Sequence, residues 1–206
     1  MPNENKENKE NFDAEKYDIK EYSATPKKYG LICLAVLLPY YIICVAVYLL
    51  QRDYANIFAT VFKATFLLEF FVLMLGVIIV LGIAMFVKAA LLSAFSESKS
   101  DSLKFRMIPE VQKPHCYAAE PVKIGKYRVC LIAYIFTAAL LPYITALITG
   151  DFMVVLASFF SAYWAAGDIW LLIALFGKNG GDYIIDFENV MLYRIYENNE
   201  NKYPAA

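Results

Sequence analysis

Four apolar runs decide most of what this chain can become: Tyr29–Leu50, Phe66–Val87, Val129–Thr149 and Phe152–Phe176. A bilayer core of roughly 30 Å takes about twenty residues of α-helix to cross, and each run is that long. Inside lipid every backbone polar group must find its partner within the protein, which leaves helices as the form for such runs. The sequence therefore predicts an all-α polytopic membrane protein with four transmembrane helices. Composition agrees, with 60% hydrophobic and 19% charged residues, a balance that excludes an ordinary soluble domain. The 19 basic and 20 acidic residues nearly cancel, so no nucleic-acid partner is expected.

Lys and Arg are distributed unevenly around the runs. Six precede the first, eight lie in Lys88–Arg128 and three follow the fourth, against two in Gln51–Thr65. This seventeen-to-two bias places both termini and the middle loop in the cytoplasm. Residues 1–28, rich in Asn, Glu and Lys, read as a disordered or loosely helical tail. A single membrane domain is expected over 29–196, with a polar tail at 197–206. It carries a small cytoplasmic β element: Leu103–Ile108 alternates apolar and basic, and 183–186 and 190–196 read as strands able to pair with it. Cys33, Cys44, Cys116 and Cys130 form no CxxC pair, and buried thiols rather than disulfides are expected. The string Leu-Leu-Pro-Tyr occurs twice, around Pro39 and Pro142, and each proline is expected to kink its helix.

Ionisable residues inside the runs are the functional candidates. Asp168 lies within Phe152–Phe176, about eight residues or roughly 12 Å from its inner end. A carboxylate at that depth needs a partner or a polar cavity. Lys88, at the inner end of the second run, can reach inward on its flexible stem and pair with Asp168. The alternative has Lys88 snorkelling outward and Asp168 bonded to Tyr or Ser hydroxyls. Glu69, near the outer end of the second run, reads as snorkelling to headgroups. Ser158 and Ser161 read as packing residues bonded to backbone carbonyls.

The order of several short strings resembles the membrane zincin peptidases, a bacterial family similar to intramembrane metalloproteases. The strings are His115-Cys116, Glu120-Pro121-Val122-Lys123, Tyr127-Arg128, Leu141-Pro142, Ala165-Ala166-Gly167-Asp168-Ile169 and Ile185-Asp186. The resemblance implies a multi-pass protein of a bacterial cytoplasmic membrane, with a zinc site built on HExxH and completed by the Asp of a Gly-Asp pair. Gly167-Asp168 fits that pair. The place for HExxH would be Phe86–Phe95, FVKAALLSAF, which has neither His nor Glu. The chain has one histidine, so a site with two His ligands from one subunit is excluded.

The leading expectation is therefore a catalytically inactive relative, with no cofactor. Lys88 and Asp168 would form a vestigial site in which the ammonium stands where the metal would be. Such a protein would bind another membrane protein or a peptide without cleaving it, the cytoplasmic strands offering an edge. A second expectation, of another class, is a small transport or proton-relay component using Asp168 and Glu69. A third is an active zinc peptidase with the unusual ligands Asp168, His115, Cys116 and Asp186, although His115 reads as a surface residue in a proline-bounded loop.

Overall fold

The computed structural model describes residues 17–22, 26–51, 65–96, 103–108, 113–186 and 193–198. It holds four helices long and apolar enough to cross a membrane, α1 (Pro26–Gln51), α2 (Phe66–Phe95), α3 (Ile124–Thr149) and α4 (Phe152–Phe176). The strands are β1 (Tyr17–Tyr22), β2 (Leu103–Ile108), β3 (Lys113–Ala118), β4 (Val122–Lys123), β5 (Tyr183–Asp186) and β6 (Tyr193–Asn198). Chain direction explains the layout. Each strand precedes α1 or α3 or follows α2 or α4, so all six gather at one end of the bundle, the sheet end.

At the far end α3 turns into α4 through Gly150 and Asp151. Gly150 takes a left-handed φ of 69° that ends α3, and the Asp151 carboxylate caps α4 by accepting from the Met153 N–H at 2.9 Å. The Tyr48 hydroxyl of α1 donates to the Gly150 carbonyl at 3.0 Å, holding the turn against α1.

The middle of α3 shows how the bundle handles a proline. Pro142 has no N–H, so the Ala138 carbonyl loses its usual donor, and Phe136–Leu140 widens into a π-helical turn. The Ser161 hydroxyl of α4 donates to the Ala138 carbonyl, and the Tyr40 hydroxyl of α1 donates to the Ala139 carbonyl at 3.1 Å. One turn on, Tyr143 donates to the Cys44 carbonyl of α1 at 2.7 Å. The two Leu-Leu-Pro-Tyr strings thus meet, and their tyrosines staple α1 to α3 in a single parallel register.

α4 is the central helix, packing against the other three, and 44% of its most apolar stretch is buried. α2 is peripheral, with 11% buried and Leu68, Phe71, Leu75, Ile79 and Phe86 turned outward.

Several sequence expectations need correction. α2 does not stop at Val87 but continues to Phe95, because the charge of Lys88 is neutralised inside the protein and Ala89 and Leu92 pack on the strands. α1 and α3 likewise begin earlier than expected, at Pro26 and Ile124. Between the short hairpin expected within Ser93–Lys126 and pairing with the later strands, the structure has the hairpin: β2 pairs with β3, its nearest partner in sequence. The later strands form a four-stranded antiparallel sheet in the order β1-β6-β5-β4. Residues 17–22, expected in a tail without fixed structure, are its edge strand β1, zipped to β6 from Tyr17–Asn198 to Tyr22–Tyr193. Tyr22 stacks on Tyr193 at 5.0 Å, and Lys20 reaches Glu197 at 2.6 Å. Glu197, expected in a polar tail, therefore belongs to β6. The rest of the expected N-terminal tail (1–16), residues 190–192 and residues 199–206 lie outside the described residues.

Candidate functional site

Asp168 is placed by α4, and Gly167 beside it is what lets another helix come close. A Cβ at position 167 would lie 2.5 Å from the Tyr29 hydroxyl oxygen and 3.0 Å from its ring. The absent side chain admits the α1 tyrosine against α4. Farther along, Arg128 of α3 donates to the carbonyls of Leu175 and Lys178, filling acceptors that the end of α4 leaves open. Gly125 approaches Gly180 closely, its N–H donating to the Gly180 carbonyl at 2.9 Å.

Lys88 and Asp168 meet. Lys88 Nζ lies 2.7 Å from Asp168 Oδ1, with the two residues 1% and 4% exposed. Depth explains the meeting: Lys88 is seven residues from the end of α2 and Asp168 eight from the end of α4, both ends being at the sheet. The ammonium also sits 5.4 Å from the centre of the Tyr134 ring on α3, a favourable cation–π placement.

A second buried carboxylate adjoins this pair. Asp186, at the end of β5, interacts electrostatically with Lys88 and is 7% exposed. Its Oδ2 accepts from the Tyr127 hydroxyl of α3 at 2.6 Å and lies 3.1 Å from His115 Nε2 of β3. Burial alone would raise the carboxyl of Asp186, but His115, Lys88 and Tyr127 together outweigh it and hold it below the ordinary carboxylate value. Cys116, fully buried beside them, behaves oppositely: burial pushes its thiol up to about 11, against the opposing pull of Lys88. It is therefore a neutral thiol at physiological pH, not a ready thiolate ligand or nucleophile.

Of the residues singled out in the sequence, Lys88, Asp168, Asp186, His115 and Cys116 thus converge, carried by α2, α4, β5 and β3. His115 is not a loop residue. It lies within β3, its side chain is 12% exposed, and its ring stacks on Tyr117 at 5.6 Å. Glu69 is elsewhere, in the first turn of α2 at the far end, where it accepts from the Thr65 hydroxyl at 2.6 Å. An acid in a first helical turn also opposes the macrodipole favourably. Ser158 and Ser161 give their hydroxyls to the Val155 and Ala138 carbonyls.

Sequence reasoning missed Tyr127 and Tyr134 as partners of the charges. They stand seven residues apart on one face of α3, with Cys130 and Leu131 between, and that spacing was the available signal.

Among the described residues no three of His, Cys, Asp and Glu gather closely enough to hold a metal ion together. The ammonium of Lys88 lies at hydrogen-bond distance from Asp168. What the cluster does chemically is neutralise charge. Asp168 pairs directly with the ammonium of Lys88, while Asp186 is held by Tyr127 and His115 and feels the same ammonium electrostatically. Comparison with family models, with curated proteins and with solved structures returns no match.

Proposed function

We propose that this chain is a membrane-embedded binding protein derived from a zinc peptidase and no longer hydrolytic. In this reading all four helices span a bacterial cytoplasmic membrane, with the sheet end and both termini in the cytoplasm. The observation that carries the proposal is the buried contact between Lys88 and Asp168, with Asp186 close enough to act electrostatically on the same ammonium. Asp168 stands in the Gly-Asp pair that completes the metal site in the family the sequence resembles. Here that carboxylate is paired with a lysine.

The chemistry follows from the cation. A zinc ion with an open position lowers the pKa of bound water and so supplies a nucleophile. An ammonium has no open coordination position, and this one is 1% exposed, out of reach of a substrate carbonyl. It can hold two acids together and thereby hold α2, α4 and β5 together. The role left to the protein is binding a membrane partner or an extended peptide without cutting it.

The proton-relay reading has one observation in its favour: a polar series from the partly exposed His115 through Asp186 and Lys88 to Asp168. Toward the far end the next inward-facing polar groups of α4, Ser161 and Ser158, are committed to backbone carbonyls, which weakens it.

Metal analysis separates these readings. Protein purified without chelator and incubated with zinc should retain far less than one zinc per chain. Stoichiometric zinc that is lost in Asp168→Ala would overturn the proposal. Proton flux in liposomes abolished by Asp168→Asn would favour the relay.

A further inference from the structure

The β2–β3 hairpin leaves β2 exposed on both faces, and the faces differ. Antiparallel pairing puts Phe105 opposite Cys116, Met107 opposite Pro114 and Leu103 opposite Ala118, so these six share one face. Cys116 and Ala118 are buried on it, and Leu103 packs against the same core as Ala89 and Leu92 of α2. That face is therefore the one turned toward α2. Phe105 and Met107 extend it outward beyond the core and are 64% and 59% exposed. Lys104 and Arg106 are exposed on the opposite face, which in β3 carries His115 and Tyr117.

The length of α2 gives the level of the hairpin. Its 30 residues span about 45 Å, while a bilayer core is roughly 30 Å thick. The helix is thus about 15 Å longer than the core is thick, and the hairpin packs against its last third, Phe86–Phe95, at the sheet end. Phe86, at the start of it, is 73% exposed on the lipid-facing side. Phe105 and Met107 thus form an exposed apolar face on a hairpin that packs at the end of α2. Two large apolar side chains on an edge strand invite association when they face water, whereas at a membrane interface aromatic and apolar side chains are well placed.

We propose that β2 lies in the headgroup layer of the bilayer that α2 spans, with Phe105 and Met107 immersed at the hydrocarbon boundary and Lys104 facing water. The occupant of this surface is the host membrane. The inference rests on the membrane-spanning reading given above.

The test is nitroxide labelling of single added cysteines in the full chain in lipid nanodiscs, the unsubstituted protein giving the background from the four buried native thiols. Collision with oxygen reports lipid, and collision with a water-soluble nickel chelate reports water. The oxygen-to-nickel ratio should be several-fold higher for Phe105→Cys and Met107→Cys than for Lys104→Cys. Leu75→Cys, a third of the way along α2 from its far end, tests the spanning reading separately. A lipid signal at 75 with a water signal at 105 overturns the hairpin proposal alone. A water signal at 75 overturns the spanning reading. A label at 105 shielded from both reagents means a protein partner covers β2, and that also overturns the proposal.

Discussion

In the far half of the bundle, buried polar atoms are paired by neutral hydroxyls; at the sheet end they are paired by charges. Tyr40, Tyr143 and Ser161 each donate to a single backbone carbonyl on a neighbouring helix. Lys88, Asp168, Asp186 and His115 are instead supplied by two helices and two strands and answer one another's charge. A hydroxyl can be removed and leave behind a carbonyl of ordinary polarity. A buried charge cannot lose its partner so cheaply, because the remaining ion has neither water nor counter-ion. Redundancy thus belongs to the far half, and mutual dependence to the sheet end.

The sharpest way to break this contrast is to remove the ammonium. Lys88→Ala leaves Asp168 buried without its counter-ion and should cost about 3–5 kcal/mol, the usual loss when one partner of a buried pair is deleted. The thermal midpoint in detergent measures it. Lys88→Ala combined with Asp168→Asn should recover part of the loss, since Asp168 is then no longer left as an unpaired charge. Strictly additive costs would mean that the two side chains are not coupled.

A smaller effect is expected in the far half. Tyr143→Phe removes the hydroxyl that reaches the Cys44 carbonyl and should cost about 0.6–2 kcal/mol in the same assay. A loss as large as that of Lys88→Ala would erase the distinction between the halves.

The smallest expected effect sharpens the comparison at the rim of the sheet. Hydrogen bonds from Lys20 and Lys178 hold the Glu197 carboxyl at about 2, against an ordinary 4.5. A carboxyl depressed in the folded state stabilises it above its unfolded value, and the contribution is lost as pH falls through the folded value. The attachment of β1 to β6 should therefore be unchanged from pH 7 to about 4.5 and weaken between about 4.5 and 2. Hydrogen exchange of the β1 amides follows it. Glu197→Gln should flatten that dependence; an unchanged profile in this variant would assign it to other groups.

Much of the architecture was legible in the chain because lipid-length apolar runs leave one backbone solution. The four helices follow from that, and the strand at 103–108 follows from its alternation of apolar and basic residues. Boundaries were less legible. The second apolar run ends at Val87 because Lys88 is the first charge after it, whereas its buried counter-charge lets the helix run on to Phe95. Residues 17–22 looked structureless because their charges and tyrosines show no apolar period; β6 supplies their partners from the other end of the chain. Glu69 near a run's end and Asp168 eight residues inside one were already distinguishable, and the structure gives the first a Thr65 hydroxyl and the second an ammonium.

The sequence by itself determined the number of apolar helices, the gathering of the strands at one end and the presence of a lone acid that required a partner. It did so because hydrophobic length and chain direction are local properties, readable without neighbours. The tertiary structure decided who the partner is and how many groups share the charge. Lys88, Asp168, Asp186 and His115 are separated by up to a hundred residues, and electrostatic pairing depends on distance in space. Only packing brings an ammonium within 2.7 Å of one acid while a tyrosine and a histidine hold the other beside it.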